Sequence, residues 1–203
     1  MAEKAAFSLS TSLSVSALLG LLAWPAFAVE AQKWRSVSSP SQGVSLSIPD
    51  DAVASTAVSV SAYNALIHTS VITVALNPAG HVGTNLRAAS VSVSSSQDPA
   101  IVAACGSGKA VNGETLEGTA TLDGVLFTRY SASDAGAGSR WSWTMYRAVR
   151  QHRCYEIVEQ LSWAVLENYP AGTVKAFDRA HIEAQLHAIT HRFKFDQPAP
   201  PSR

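Results

Sequence analysis

Cysteine is nearly absent from this chain of 203 residues, which holds only Cys105 and Cys154. Two thiols are too few for a structural zinc site, and without a Cys-x-x-Cys pair there is no thioredoxin-like redox motif. Charge is scarce too: Asp, Glu, Lys and Arg make up 15% of the residues and cancel at 15 of each sign. With no net field to gather phosphates, nucleic acid and anionic membrane surfaces are excluded as partners held by bulk charge. The six histidines change that balance only below about pH 6. Internal repeats are lacking. Apolar residues, in contrast, reach 47%, enough for a packed core and far from the composition of a disordered chain. The length suits one domain.

A single long apolar run stands at the start. Leu13 to Ala23 follows Lys4 and leads into Trp24-Pro25 and then Ala26-Phe27-Ala28. A short apolar stretch ending in a small-x-small site reads as a secretory signal peptide. It falls short of the roughly 20 apolar residues a spanning helix needs. The expected organisation is a signal peptide over residues 1–28, one domain over 29–196 and a disordered Pro-rich tail over 197–203. The secreted form should begin at Val29. No cysteine lies near the cleavage site, so no lipid anchor is expected, and no transmembrane segment remains after processing. The expected location is periplasmic or secreted. In an oxidising compartment, Cys105 and Cys154 read as a disulfide.

The rest reads as strands and one good helix. Val44, Leu46 and Ile48 alternate with serines between Gly43 and Pro49, the pattern of a half-buried strand. Ala57 to Tyr63, Leu66 to Leu76 and Leu86 to Ser94 follow as strands, and Ser95 to Asn112 reads as a loop with at most a short helical turn. Thr115 to Leu122 and Val125 to Ser133 flank Asp123-Gly124, a strong two-residue hairpin signal. Asp134 to Ser139 reads as a flexible connection. Trp141 to Arg150 and Cys154 to Val165 form a second hairpin, for which a three-residue loop, Gln151 to Arg153, is expected. That register gathers Trp141, Trp143 and Met145 with Tyr155, Ile157, Leu161 and Trp163 on one face, and brings Arg147 within reach of Glu159. Asp178 caps a helix whose Ile182, Leu186, Ile189 and Phe193 form one apolar stripe.

The Gly43-Val-Ser-Leu-Ser-Ile-Pro49 opening and the Ile189-Thr-His-Arg-Phe-Lys-Phe195 ending resemble the borders of PsbP/Mog1-like domains. Cys154-Tyr155-Glu156-Ile157 followed by Phe177-Asp178 is similar to exported bacterial proteins of that type. The resemblance implies an α+β fold, an antiparallel twisted sheet with the C-terminal helix packed on one face. Members serve as extrinsic photosystem subunits or bind a small GTPase. It therefore implies partner binding rather than catalysis, and brings no catalytic residue.

Motifs for chemistry are wanting. Gly106-Ser107-Gly108-Lys109 resembles the end of a phosphate-binding loop, but Ala103 and Ala110 stand where that loop needs Gly and Ser or Thr. His187 and His191 are four apart without the His-Glu-x-x-His pattern, and read as a solvated helix face rather than a metal site. No serine sits in a Gly-x-Ser-x-Gly elbow. Glu159 is the one charge on an otherwise apolar strand face. It reads as half of an ion pair with Arg147, or as the carboxylate of a ligand cleft.

The expected function is therefore a non-enzymatic periplasmic accessory or binding protein without cofactor or metal, its partner an envelope protein or a ligand. Trp34, Trp141 and Trp143 are the candidate binding aromatics. The alternative is a small hydrolase or metal-dependent enzyme assembled from scattered His and Glu residues.

Overall fold

Alternating apolar and hydroxyl-bearing residues build most of the computed structural model, which describes residues 32–60, 66–111 and 113–196. The expected signal peptide and Pro-rich tail lie outside the described residues, as do Tyr63 and its neighbours in the Ala57–Tyr63 strand. The chain separates after Ala31, and the fold belongs to the second unit, Gln32–Arg203. Its class is α+β. Among the described residues no helix is long and apolar enough to cross a membrane.

A small sheet holds β1 (Trp34–Ser39), β2 (Val44–Pro49) and β11 (Phe193–Phe195) in the order β1-β2-β11. The large sheet contains β3 (Val53–Ser55), β5 (Thr69–Ala75), β6 (Leu86–Ser96), β7 (Thr115–Leu122), β8 (Val125–Gly136), β9 (Ser139–Arg150) and β10 (Arg153–Ala164). Its order is β3-β5-β6-β10-β9-β8-β7, with β4 (Ser59–Val60) also pairing β5. All these strand pairings are antiparallel.

Two helices complete the unit. The loop expected over 95–112 contains a genuine helix, α1 (Pro99–Gly106). Asp98 accepts from the backbone N–H groups of Ala100 and Ile101 at 2.8 and 3.2 Å, and Pro99 sits at the first helical turn. That is a sound N-terminal cap. Its Ala-rich apolar sequence carries no helical periodicity, which is why it passed for a loop. The second helix, α2 (Arg179–Thr190), starts where Asp178 accepts from the His181 N–H at 3.0 Å. Ile182, Leu186 and Ile189 are buried, joining Val44, Leu46, Ile48, Phe193 and Phe195 of the small sheet to Val91, Val93, Tyr146 and Ile157 of the large one. Burying a side chain such as Leu186 contributes about 2 kcal/mol.

Three two-residue turns fix the register of the long strands. Asp123-Gly124 has φ of 46° and 75°, and Leu122 pairs Val125. The supposed flexible connection is the second turn: Ala137-Gly138, φ 46° and 74°, closes strands that run on to Gly136 and from Ser139. The third corrects the three-residue loop expected before Cys154. Gln151 and His152 both have positive φ, 51° and 58°, and Arg150 pairs Arg153. Directly paired residues share a face, so Trp143 lies with Gln160, Trp141 with Ser162 and Met145 with Val158. Trp143 and Leu161 are on opposite faces.

Candidate functional site

The corrected register sorts charged residues onto both faces of the large sheet. On the face away from α2, Arg147 pairs Glu156 rather than Glu159. Its Nε donates to Glu156 at 2.7 Å, and its two terminal nitrogens donate to Glu114 at 2.7 and 2.5 Å. Glu156 also accepts from the Ile67 N–H at 3.1 Å, and Glu114 from the Val111 N–H at 3.0 Å. Arg147 and Glu156 are 2% and 0% exposed, and the guanidinium lies 4.9 Å from the Tyr130 ring centre. Burial opposes the guanidinium charge, but the two carboxylates hold it protonated. Burial pushes the Glu156 carboxyl up, against the pull of Arg147 and the Ile67 N–H. With both carboxylates engaged by the guanidinium and no access to solvent, this triad ties Ile67 and Val111 to the sheet. It is architecture. The nearby disulfide has a similar place: Cys105 of α1 and Cys154 of β10 are bonded, with Cα atoms 6.0 Å apart.

On the opposite face the chemistry is open. The α2 helix lies over β10, β6 and β2 and leaves the adjoining stretch of β8 and β9 uncovered. That stretch carries Ser131, Ser133, Ser142 and Thr144 in cross-strand register, while the apolar residues of the same strands, Tyr130, Trp143 and Met145, point the other way into their own cluster. The result is a cleft of about 480 Å³ with Ser131 and Thr144 on its floor, Glu183, Ala184 and His187 along α2, and Glu117, Arg129 and Glu159 around them. A second hollow shares Ser131, Thr144 and Glu183 and extends it past Ser133, Ser142 and Arg179.

Glu159 and His187 are the centre of the cleft. His187 Nδ1 lies 3.2 and 3.4 Å from the Glu159 oxygens and 3.0 Å from the Tyr146 hydroxyl. Facing a carboxylate, Nδ1 carries the proton. The hydroxyl of Tyr146 also hydrogen-bonds Glu159, and burial pushes its ionisation far up, so it remains a donor. The neutral imidazole is thereby fixed with Nε2 as its acceptor, and among the described residues Nε2 has no partner. His187 was expected on a solvated face; it instead connects α2 to the sheet, half-exposed, with His191 against it at 4.7 Å between ring centres. Glu159, buried at 7% exposure, pairs with His187 rather than with Arg147.

The hydrogen bond to Glu159 raises the His187 pKa above its usual 6.5, although burial and Arg129 oppose it. A His with a raised folded pKa contributes its pairing stability in full below the unfolded value and loses it as pH climbs through the folded one. The advantage of the native protein over H187Q should thus be largest below about pH 6.5 and fade above it. A half-exposed pair of this kind contributes roughly 0.5 kcal/mol. Urea denaturation of both proteins across this range measures the difference. A constant gap would remove the pair as its source.

The candidate aromatics are elsewhere. Trp143 is buried at 8% exposure and Trp141 packs beside it, both on the sheet face away from the cleft. Neither the buried Trp143 nor Trp34, whose ring lies 3.8 Å beneath the Arg192 guanidinium, is a free anchor. A further hollow of about 540 Å³ near the 151–152 turn includes Arg150 and Arg153. There Arg153 is tied to Gln42 and Ser95, and Arg150 lies 4.4 Å from the centre of the Phe195 ring, which makes it a brace between the two sheets. Among the described residues no three His, Cys, Asp or Glu side chains are placed to hold a metal ion. Sequence reasoning missed Arg129, Ser131 and Thr144. The available signal was the polar alternation of β8 and β9, which marks a sheet face with nothing packed on it.

Comparison with known proteins gives no family model that matches and no match among curated proteins. Solved structures do resemble the chain. LpqN of Mycobacterium tuberculosis, a protein involved in cell envelope biogenesis, is 14% identical with a TM-score of 0.42, covering 82% of this chain and 92% of LpqN. The cyanobacterial PsbP (CyanoP) of Synechocystis sp. PCC 6803 is 8% identical with a TM-score of 0.36, covering 83% of this chain and 95% of the other.

Proposed function

We propose that this is an exported, periplasmic accessory protein that binds a small polar ligand, or the end of a partner chain, without turning it over. The observation that carries this is the uncovered cleft beside α2, floored by Ser131 and Thr144 and centred on the Glu159–His187–Tyr146 contact. A preformed concavity of a few hundred Å³ with a few convergent polar groups is the usual form of a ligand site. Covalent catalysis by a serine would need its hydroxyl within reach of the His187 base. The Ser131 hydroxyl donates instead to Glu117 at 2.5 Å, and among the described residues no serine hydrogen-bonds His187.

Ala184 is exposed on the wall of the cleft, so A184W plugs the space without touching the core. Purified protein is incubated with the small-molecule and peptide fraction of a periplasmic extract, and what it retains is identified by mass spectrometry. The expected result is a species retained by the native protein and lost in A184W at an unchanged melting temperature. Retention that A184W leaves intact would move the site elsewhere. Multiple-turnover hydrolysis abolished by H187Q would establish the enzyme alternative.

A further inference from the structure

The cleft contains charges of both signs, but they are not equally committed. Glu159 is paired with His187, Glu183 with Arg179 at 2.7 Å, and Glu117 accepts from the Ser131 hydroxyl. Arg129 is the exception. It projects from β8 on the cleft face, opposite Tyr146 in the strand register, half-buried and close enough to oppose protonation of His187. Among the described residues its guanidinium has neither a hydrogen bond nor an ion pair. A guanidinium with five donors in a rigid fork, held against the floor of a cleft and left without an acceptor, is complementary to a planar oxyanion.

We infer that the cleft binds a carboxylate, with Arg129 as its fork and the Nε2 end of His187 as a second donor when the imidazole is protonated. This rests on the reading of the cleft as a ligand site and names the class of ligand. Carboxylate is favoured over phosphate by the company Arg129 keeps: Glu117, Glu159 and Glu183 all line the same space. Those three carboxylates oppose every negative charge brought in, so a dianion is repelled about twice as strongly as a monoanion, and a single charge suits the one fork of Arg129. The hydroxyls of Ser131 and Thr144 serve the polar atoms next to the carboxyl group. Both a small organic acid and the free C-terminus of a polypeptide present this chemistry.

The test uses four probes on the whole secreted protein: acetate, N-acetyl-triglycine with a free C-terminus, the same peptide as its C-terminal amide, and inorganic phosphate. Binding is read from the Arg129 Nε–H and the Thr144 amide by NMR titration. The free acids should bind saturably, with the amide and phosphate weaker by about tenfold or more. R129Q should weaken acetate by a similar factor without lowering the melting temperature, and R129K should not restore it, because an ammonium cannot form the fork. Binding should also weaken as pH rises through the raised pKa of His187 and the imidazole loses its proton, a trend absent in H187Q. A free-acid peptide far tighter than acetate identifies a chain terminus, and equal affinities identify a small acid. If acid and amide bind alike, or R129Q binds acetate as the native protein does, the carboxylate inference is overturned. Binding of the amide that A184W still blocks would leave the cleft itself standing. Failure of all four probes would overturn the inference, and a cleft species retained from the extract in the same preparation would show that the cleft survives it.

Discussion

Replacing Arg147 by methionine should destabilise the protein by roughly 3–5 kcal/mol, the range for removing one partner from a buried ion network. Arg147 is 2% exposed and supplies donors to both Glu114 and Glu156. Without it, two carboxylates remain in the interior with one backbone N–H each, from Val111 and Ile67. They must then either stay charged without a counter-ion or take up protons. The second course gives the prediction a pH signature. Burial already holds the Glu156 pKa up in the native protein, and loss of the guanidinium raises it further. A carboxyl with a folded pKa above its unfolded value binds more protons when folded, so stability falls as pH rises from the unfolded value to the folded one. The penalty for R147M should therefore be smaller at about pH 5 than at about pH 8. The triple variant R147M/E114Q/E156Q, which removes the stranded charges, should recover most of the loss. Urea denaturation at the two pH values reads all three proteins. A penalty below about 1 kcal/mol, or one independent of pH, would show that the network is not closed to water.

That network also shows where the sequence stopped being legible. The hydrophobic alternation that places β2, β7, β8, β9 and β10 is visible in the residues, and so are the Asp178 cap and the Ile182–Leu186–Ile189 stripe. The register between β9 and β10 is not. It depends on Gln151 and His152 both taking positive φ, which Asn or Gly would have announced and these two do not. Grouping the tryptophans with Tyr155, Ile157 and Leu161 makes the better apolar face if only one face is covered. It failed because each face of the sheet buries an apolar cluster of its own. Trp143 and Met145 have a core of their own with Tyr130 and Val158, apart from the one under α2. One residue of slip exchanged the partners of Arg147 and Glu159, and with them the buried triad and the open cleft.

The cleft was legible only in part. Glu159 stands out in the sequence because it breaks an apolar strand face. Its partner does not, since His187 lies far along the chain and on the flank of α2 away from the apolar stripe. Helical phase placed it off the core correctly. It could not reveal that α2 covers β10 and leaves β8 and β9 bare, so that the flank faces a hydroxyl-lined floor rather than bulk water. Arg129 is harder still. What distinguishes it is the lack of a hydrogen-bond or ion-pair partner among the described residues, a property of the assembled structure alone.

Loss of the disulfide is the other change expected to act strongly, and it acts chiefly on the unfolded chain. Cys105 and Cys154 are 49 residues apart, and cross-linking a loop of that length stabilises the native state by about 4 kcal/mol in the chain-entropy model. The double variant C105A/C154A should lose a figure approaching that. It also loses local packing: both half-cystines are buried in a small cluster with Ile67, which Ile101 and Val102 of α1 cover. The α1 helix has just eight residues, too few to be stable alone in water, and the bond fastens it to β10. Without that bond, α1 should exchange its amide hydrogens faster than β9 or β10, while the cleft, on the other face of the sheet, should bind acetate unchanged. Oxidised protein treated with reductant in denaturant should refold to the same reduced stability, and protein never exposed to reductant should show no free thiol when unfolded. Two titratable thiols in that sample, or a double variant within about 1 kcal/mol of the native protein, would mean that the bond has no part in holding α1 to the sheet.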